Sequence, residues 1–255
     1  MPRLKSELNL LALAVMFFTR IPIPFAVSYS PEKLNACARY FGLVGLIVGA
    51  ICASLFITLS QILPPLVAIL LTLSISFLLT GGFHQDGLAD TADGLGGGFS
   101  VAQKLAIMKD SRLGSYGALA LWSMLSLQAS SLFYLGDAAA VALLVAHPLS
   151  RSITVLIIFT LPYVSEQEQA KSKPLAESIS ITALIGNGIV TLCCWFWLPS
   201  GFGQVVLGLL LTTLIFGWFL HRQLGGFTGD TLGAAQQLTE LMTYLILLTL
   251  WRPAL

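Results

Sequence analysis

Three aspartates and a histidine lie close together in a chain that otherwise has few charges. His84, Asp86, Asp90 and Asp93 fall within the segment 81–94, whereas Asp, Glu, Lys and Arg make up only 10% of the 255 residues. On one α-helix, spacings of four and three residues place the three aspartates on a shared face. Carboxylates in such a group repel one another unless a cation neutralises them. The spacing therefore predicts a cation site.

The residue types in this segment favour Mg²⁺. This hard cation takes oxygen ligands and usually joins one or two carboxylates to the phosphate oxygens of a substrate. We therefore predict that Asp86, Asp90 and Asp93 bind Mg²⁺, with Gly87 and Gly94 leaving room for a bulky ligand. The structural alternative is a cluster of acids that caps helices at the membrane surface. His84 is a candidate general base, phosphate contact or orienting group, or else an ordinary packing residue.

A second polar segment, 109–117, precedes an apolar stretch. Lys109 and Arg112 are predicted to bind phosphate oxygens, because a guanidinium and an ammonium both suit that partner. The alternative is ordinary positive charge beside a membrane span. Asp110 is predicted to be a catalytic residue, since acids are not needed to set membrane topology.

A third polar segment, 225–237, is rich in glycine and contains one acid. Thr228 and Gly229 are predicted to bind substrate, because a glycine-rich turn before a helix N-terminus exposes N–H groups to phosphate. Asp230 is predicted to be catalytic and to lie near the 86–93 cluster. A further ionisable residue, Arg151, lies in an apolar stretch, where it would bind a phosphate or pair with an acid.

The composition is typical of a membrane protein. Hydrophobic residues make up 56% of the chain, and the mean hydropathy is +0.86. The chain is predicted to be an all-α, polytopic helical membrane protein with a single catalytic domain, 1–255. Basic residues are too few for a nucleic-acid surface, so no nucleic-acid partner is expected. Monomer and homo-oligomer are both left open, and membrane lipid is the expected surrounding.

Six apolar segments are long enough to suggest spans, and a seventh is short and opens with polar residues. They run roughly over 40–60, 63–80, 117–135, 138–161, 180–198 and 204–221, with the seventh at 238–251. Lys and Arg collect in 81–116, 162–179 and 222–236, which predicts that these loops are cytoplasmic and that the turns near Pro64, Gly136 and Gly201 lie outside. The N-terminal run 8–18 is short for a span, so it is predicted to be a re-entrant or interfacial helix.

The sequence resembles a known family in four successive motifs. They are Phe18-Thr19-Arg20-Ile21-Pro22-Ile23-Pro24, then Gly82-Phe83-His84-Gln85-Asp86-Gly87-Leu88-Ala89-Asp90-Thr91-Ala92-Asp93-Gly94, then Met108-Lys109-Asp110-Ser111-Arg112-Leu113-Gly114-Ser115-Tyr116-Gly117, and finally Gly225-Gly226-Phe227-Thr228-Gly229-Asp230-Thr231-Leu232-Gly233-Ala234-Ala235. These motifs are similar to those of the cobalamin synthases, or adenosylcobinamide-GDP ribazoletransferases.

The resemblance implies an Mg²⁺-dependent, multi-pass enzyme of the inner membrane with its active site facing the cytoplasm. Such an enzyme joins adenosylcobinamide-GDP to α-ribazole or its 5′-phosphate and releases GMP. In this chain Asp86, Asp90 and Asp93 would hold the metal against the diphosphate. His84 is the first candidate for the general base, with a metal-bound carboxylate second.

Two other functions are compatible with an acidic cluster in a membrane protein. An aspartate-rich membrane prenyltransferase would also use Mg²⁺ and a diphosphate, but it would break a carbon–oxygen bond. An ion-coupled transporter would place its acids near the middle of the bilayer, whereas the clusters here are predicted at the ends of spans. Turnover that depends on Mg²⁺ separates an enzyme from a carrier.

Overall fold

The computed structural model describes residues 2–164, 178–198 and 200–251, which are almost entirely helical and contain no β-strand beyond one isolated bridge. The predicted all-α class is confirmed. The α-helices are α1 (Pro2–Phe18), α2 (Pro31–Cys37), α3 (Phe41–Leu59), α4 (Pro65–Thr80), α5 (Phe83–Gly97), α6 (Val101–Met108), α7 (Ser115–Leu135), α8 (Ala139–Thr160), α9 (Ile181–Cys193), α10 (Phe202–Leu224) and α11 (Gly229–Leu250).

Several of these helices are long and apolar enough to cross a membrane. Among the described residues three continuous stretches qualify by length and composition, and the bent pair α4–α5 adds a fourth. One of them, Ser115–Thr160, contains both α7 and α8. Gln128 of α7 bonds to Gln237 and Ser150 of α8 bonds to Gln236, so the chain reverses near Gly136 and the two helices run antiparallel beside α11. The predicted six to seven spans counted these helices separately and also included α9 and α11.

The last helix differs from its predicted extent. The seventh apolar segment was predicted at 238–251, but α11 is 22 residues long and begins at Gly229. Its first half carries polar side chains that are buried, among them Thr231, Gln236, Gln237 and Glu240. Hydropathy scores these side chains as unfavourable in lipid. Here Thr231 bonds to Thr228 at the start of α11, and Gln236, Gln237 and Glu240 bond to side chains of α7 and α8.

The predicted polar loops are largely helical. Segment 81–116 folds into α5 and α6, and segment 222–236 shrinks to a short turn between α10 and α11. Most of the third predicted loop, 162–179, lies outside the described residues. Its described start pairs with the turn before α11, because the N–H of Phe227 donates to the carbonyl of Pro162 at 3.0 Å and that of Val164 to Phe227 at 2.8 Å. The described start of the third loop and the turn before α11 therefore lie at the same end of the helix bundle.

The N-terminal helix α1 lies across the start of α3. Near one end of α1, Glu7 binds Arg39 at 3.2 Å and Tyr40 at 2.6 Å, while at the other end Phe18 contacts Phe41 with ring centroids 4.7 Å apart. Glu7 and Phe18 are eleven residues apart, which is about 16 Å along a helix. Both contact the short segment 39–41, so α1 must cross this segment at a steep angle. That α1 is a re-entrant or interfacial helix stays a prediction.

Glycines let α3 and α8 pack backbone to backbone. A Cβ atom on Gly45 would meet the carbonyl oxygen of His147 and lie 2.6 Å from the Cα of Pro148, and one on Gly49 would lie 2.6 Å from the carbonyl oxygen of Leu144. Small residues spaced by four allow this close approach in membrane helices. The contact holds in place the part of α8 that carries Arg151.

We expect Gly45→Ala to lower the melting temperature of the protein in detergent. Alanine gains about 1 kcal/mol in helix propensity, but the clash is with backbone, and overpacking costs roughly 1–3 kcal/mol. The matched control is Gly188→Ala, because a Cβ on Gly188 meets nothing within 4 Å. An equal melting temperature for the two variants would contradict the contact between α3 and α8.

Candidate active site

A sharp bend between α4 and α5 brings the predicted metal-binding segment to the end of the bundle. Gly81 and Gly82 both have positive φ, 69° and 68°, a conformation that glycine adopts without steric cost. The two helices meet at 89°. Because α5 spans Phe83–Gly97, the aspartates at 86, 90 and 93 share one helix, as the spacing predicted.

The first turn of α11 packs directly against α5. A Cβ atom on Gly87 would lie 2.7 Å from the carbonyl oxygen of Asp230, and one on Gly233 would lie 3.2 Å from the carbonyl oxygen of His84. Only glycine at position 87 allows the two backbones to approach this closely. The structure therefore brings Asp230 beside the acidic face of α5, across more than 130 residues of sequence, in the juxtaposition that the sequence predicted.

Four carboxylates lie near one another at this crossing. Asp90 is half-buried and lies within electrostatic range of Asp86, Asp93 and Asp230. Among the described residues no three His, Cys, Asp or Glu side chains are already close enough to enclose a metal ion. Mg²⁺ usually binds one or two carboxylates and completes its shell with water and substrate phosphate. The donor set of hard oxygens fits Mg²⁺ in that open form.

Asp93 has a structural task in addition to its predicted metal role. One carboxylate oxygen accepts the N–H of Gly114 at 2.8 Å, and the other accepts the N–H of Gly117 at 2.8 Å. Asp93 is buried and caps the start of α7 from the neighbouring helix. The helix-capping alternative to a cation site therefore applies to this one acid. Its role as a metal ligand stays a prediction.

We expect Asp93→Asn to destabilise the protein more than Asp86→Asn does. An asparagine amide offers only one acceptor oxygen, so one backbone N–H would face another donor, and a lost cap costs about 0.5–2 kcal/mol. Thermal unfolding in detergent without divalent cations measures the difference. Equal melting temperatures for the two variants would show that the capping hydrogen bonds of Asp93 do not stabilise the protein.

A cavity of about 390 Å³ opens beside these acids. Of the residues predicted from the sequence to form the site, it is lined by His84, Lys109, Arg151, Thr228, Gly229 and Asp230. Most of the remaining wall is apolar, with Phe17, Phe18, Phe41, Phe83 and Phe227 among its residues. A cavity of this size with few polar groups is typical of a small-molecule site.

His84 is held rigidly in the cavity wall. Its ring stacks on Phe18, with centroids 5.6 Å apart and planes 8° from parallel, and contacts the edge of the Phe83 ring at 5.5 Å. Only 3% of the residue is exposed. The packing orients the imidazole, and its place beside α11 suits either a proton acceptor or an orienting group.

The glycine-rich turn forms another side of the cavity. Thr228 caps α11, since its hydroxyl accepts the N–H of Thr231 at 3.2 Å while the Thr231 hydroxyl accepts the N–H of Thr228 at 2.8 Å. Gly229, the first residue of α11, has open space where a Cβ would be. Both predicted substrate-binding residues therefore lie at a helix N-terminus that faces the cavity, the arrangement that attracts anions.

Asp110 and Arg112 lie apart from the cavity. They pair with each other on the surface through contacts of 2.5–3.1 Å, and the Arg112 side chain is 87% exposed. Hydrogen bonds from Arg112 lower the pKa of the Asp110 carboxyl to about 2. Both residues belong to the turn that leads into α7, and their catalytic and phosphate-binding roles stay predictions.

Arg151 belongs to a buried polar network between α8 and α11. His147 Nδ1 lies 3.3 Å from a carboxylate oxygen of Glu240, which also accepts a hydrogen bond from Gln236 at 2.6 Å. Tyr244 donates to the other oxygen of Glu240 at 3.1 Å. Gln236 also lines the cavity, although it was not predicted as a site residue, because a glutamine within a helix carries no signal of its own.

The fold and the site define a class of protein: a helical membrane protein whose crossed helices hold carboxylates beside an aromatic cavity for a small molecule. A comparison with protein-family models matches residues 10–248 to cobalamin-5-phosphate synthase. The chain belongs to this family.

Curated relatives agree over nearly the whole chain. An adenosylcobinamide-GDP ribazoletransferase of Shewanella pealeana is 49% identical, covering 96% of this chain and 97% of the relative. Proteins with the same name from Shewanella woodyi and Vibrio cholerae are 48% and 45% identical, and each alignment covers 96% of this chain and at least 95% of the relative. No solved structure matches. The family that the four motifs indicated is confirmed.

Proposed function

We propose that this protein joins adenosylcobinamide-GDP to α-ribazole or its 5′-phosphate and releases GMP. The relatives carry the name of this transferase. The observation that carries the proposal is the crossing of α5 and α11, which sets Asp230 against Gly87 at the mouth of an aromatic cavity. A reaction between a diphosphate and a nucleoside hydroxyl needs acids for a metal and a cavity for the nucleoside, and this crossing supplies both together.

Asp86, Asp90 and Asp230 are the residues we assign to Mg²⁺, with Asp93 supporting them through its hold on α7. The sequence-based trio included Asp93, whose metal role stays a prediction; we favour Asp230 in its place because both oxygens of Asp93 already accept backbone hydrogen bonds. When bound, Mg²⁺ would neutralise the diphosphate and stabilise charge on the leaving GMP. The three carboxylates would hold that ion beside the cavity that Asp230 lines.

In the proposed reaction a ribose hydroxyl of the acceptor attacks the phosphorus nearer the corrinoid. The new oxygen–phosphorus bond forms as the bond to GMP breaks, and the hydroxyl proton passes to a base. His84 suits this role because its ring is fixed in the cavity wall. Lys109 at the rim would bind a phosphate oxygen. Thr228 and Gly229 would direct the N-terminus of α11 at the same group.

The acids and the cavity lie at the bundle end where Lys and Arg collect in the sequence. We therefore place the active site at the cytoplasmic face of the inner membrane, with lipid around the apolar helices. Labelling of an introduced cysteine at Ser100 from the cytoplasmic side only would support this orientation, and labelling from outside would overturn it.

The proposed function is tested with the purified full chain in liposomes. Incubation with adenosylcobinamide-GDP, α-ribazole 5′-phosphate and Mg²⁺ should yield a corrinoid of the expected mass and one equivalent of GMP. Chelation by EDTA should stop turnover, and added Mg²⁺ should restore it. Turnover without GMP release, or no product with either acceptor, would contradict the proposal.

A further inference from the structure

Arg151 is a buried cation with unused hydrogen-bonding capacity in the cavity wall. Only 2% of the residue is exposed, and it lines the cavity together with Asp230. One terminal nitrogen donates to the carbonyl oxygen of His147 at 3.1 Å, whereas Nε has no partner within the described part of the chain. A buried guanidinium with an unsatisfied donor is costly, so a water molecule, an ion or a ligand is needed to complete its hydrogen bonds.

The nearby acid is already occupied by other residues. Glu240 is buried, and its two carboxylate oxygens are taken up by Gln236, His147 and Tyr244. Across residues 2–164, 178–198 and 200–251, Arg151 forms no ion pair with a carboxylate. Glu240 lies within electrostatic range of Arg151 but makes no contact ion pair with it, so the guanidinium keeps donors for an anion that enters the cavity.

We infer that Arg151 forms a second anion subsite, which binds the 5′-phosphate of the acceptor nucleotide while the aromatic wall holds its base. This inference rests on the proposed function, in which the acids of α5 and α11 would bind the diphosphate through the metal ion. Arg151 would then require another anion, and the acceptor phosphate supplies one. The protein would then recognise the 5′-phosphate of the acceptor separately from the reacting diphosphate.

The dimensions and the lining favour the acceptor. The cavity volume of about 390 Å³ is sufficient for a nucleotide, whereas the much larger corrinoid would stay outside the cavity. Because Asp230 and Arg151 line the same cavity, one acceptor can direct its ribose hydroxyl to the acids and its phosphate to the guanidinium. The aromatic wall, in which Phe83 is 38% exposed, suits a flat aromatic base.

The alternative source of the same phosphate chemistry is the diphosphate itself. The two sources are separated by measuring kcat/KM for Arg151→Gln with α-ribazole 5′-phosphate and with α-ribazole. Loss of a charged hydrogen bond should lower the value for the phosphorylated acceptor roughly ten- to a hundredfold and leave that for α-ribazole nearly unchanged. Arg151→Lys should recover part of the difference. Equal losses with both acceptors would overturn the inference.

A binding measurement on the wild-type protein keeps the test independent of folding and turnover. Without divalent cations and without the corrinoid substrate, α-ribazole 5′-phosphate should bind at least about tenfold more tightly than α-ribazole. Equal affinities would overturn the inference. The control is Arg222→Gln, an exposed arginine over the Trp218 ring, which should leave the preference unchanged. A failure of the proposed function is recognised separately, as absence of product from wild type with either acceptor.

Discussion

Replacing Asp86 or Asp90 by alanine should lower kcat/KM roughly 10²- to 10³-fold or more while the protein still folds and inserts. Each carboxylate is proposed to hold the ion that neutralises the diphosphate, and removal of one preorganised electrostatic group commonly costs this much. The measurement is corrinoid product formation by the purified variants in liposomes. The matched control is Asp137→Ala, an exposed acid in the turn between α7 and α8. Near wild-type rates in both site variants would refute the assignment.

The same acids should reduce stability when no cation is present. Asp90 lies within electrostatic range of three other carboxylates, so its charge is repelled by theirs. We expect Asp90→Asn to melt at an equal or higher temperature than wild type in EDTA, and added Mg²⁺ to stabilise wild type more than the variant. A lower melting temperature for Asp90→Asn in EDTA would mean that the carboxylate makes a stabilising contact instead.

Replacing Gly87 by alanine should lower turnover about a hundredfold without removing any chemical group from the site. The added Cβ would lie 2.7 Å from the carbonyl oxygen and 3.1 Å from the Cα of Asp230, so α5 and α11 must move apart. Misplacement of reacting groups by about 1 Å can cost this much in rate. The variant should retain helical circular dichroism, and its loss should be mainly in kcat.

The control for this variant is Gly203→Ala on α10, where a Cβ would meet nothing within 4 Å. It adds the same methyl group and the same gain in helix propensity as Gly87→Ala. Wild-type kcat in the position-87 variant would show that the contact between Gly87 and Asp230 is not needed to align the acids.

Local sequence patterns were sufficient for most of the helices. The apolar segments correspond to α3, α4, α7, α8 and α10 within a few residues, because a long apolar run satisfies its backbone only as a helix in lipid. Gly45 and Gly49, four residues apart on α3, allow the close packing against α8. The extent of α11 was underestimated, since its polar first half is buried against protein and hydropathy cannot distinguish that environment from lipid.

The hydrogen-bond partners of the charged residues could not be predicted from local sequence patterns. Asp93 looked equivalent to Asp86 and Asp90 on its helix, yet its oxygens accept backbone N–H groups of Gly114 and Gly117. Asp110 and Arg112 stood beside Lys109 in one motif, but they pair on the surface while Lys109 lines the cavity. In each case the outcome depended on hydrogen-bond partners that the spacing of residues along the chain does not reveal.

The sequence by itself determined that this is a helical membrane protein of the cobalamin-5-phosphate synthase family, and that its acids at 86, 90 and 93 share one helix. Helical periodicity and motif spacing are local properties, so they are visible in the chain. Only the tertiary structure decided that Asp230 touches Gly87, that Arg151 lines the cavity without a contact ion pair to any described carboxylate, and that phenylalanines from four segments form the cavity wall. These depend on how far the helices can approach one another, which is set by packing between segments remote in sequence.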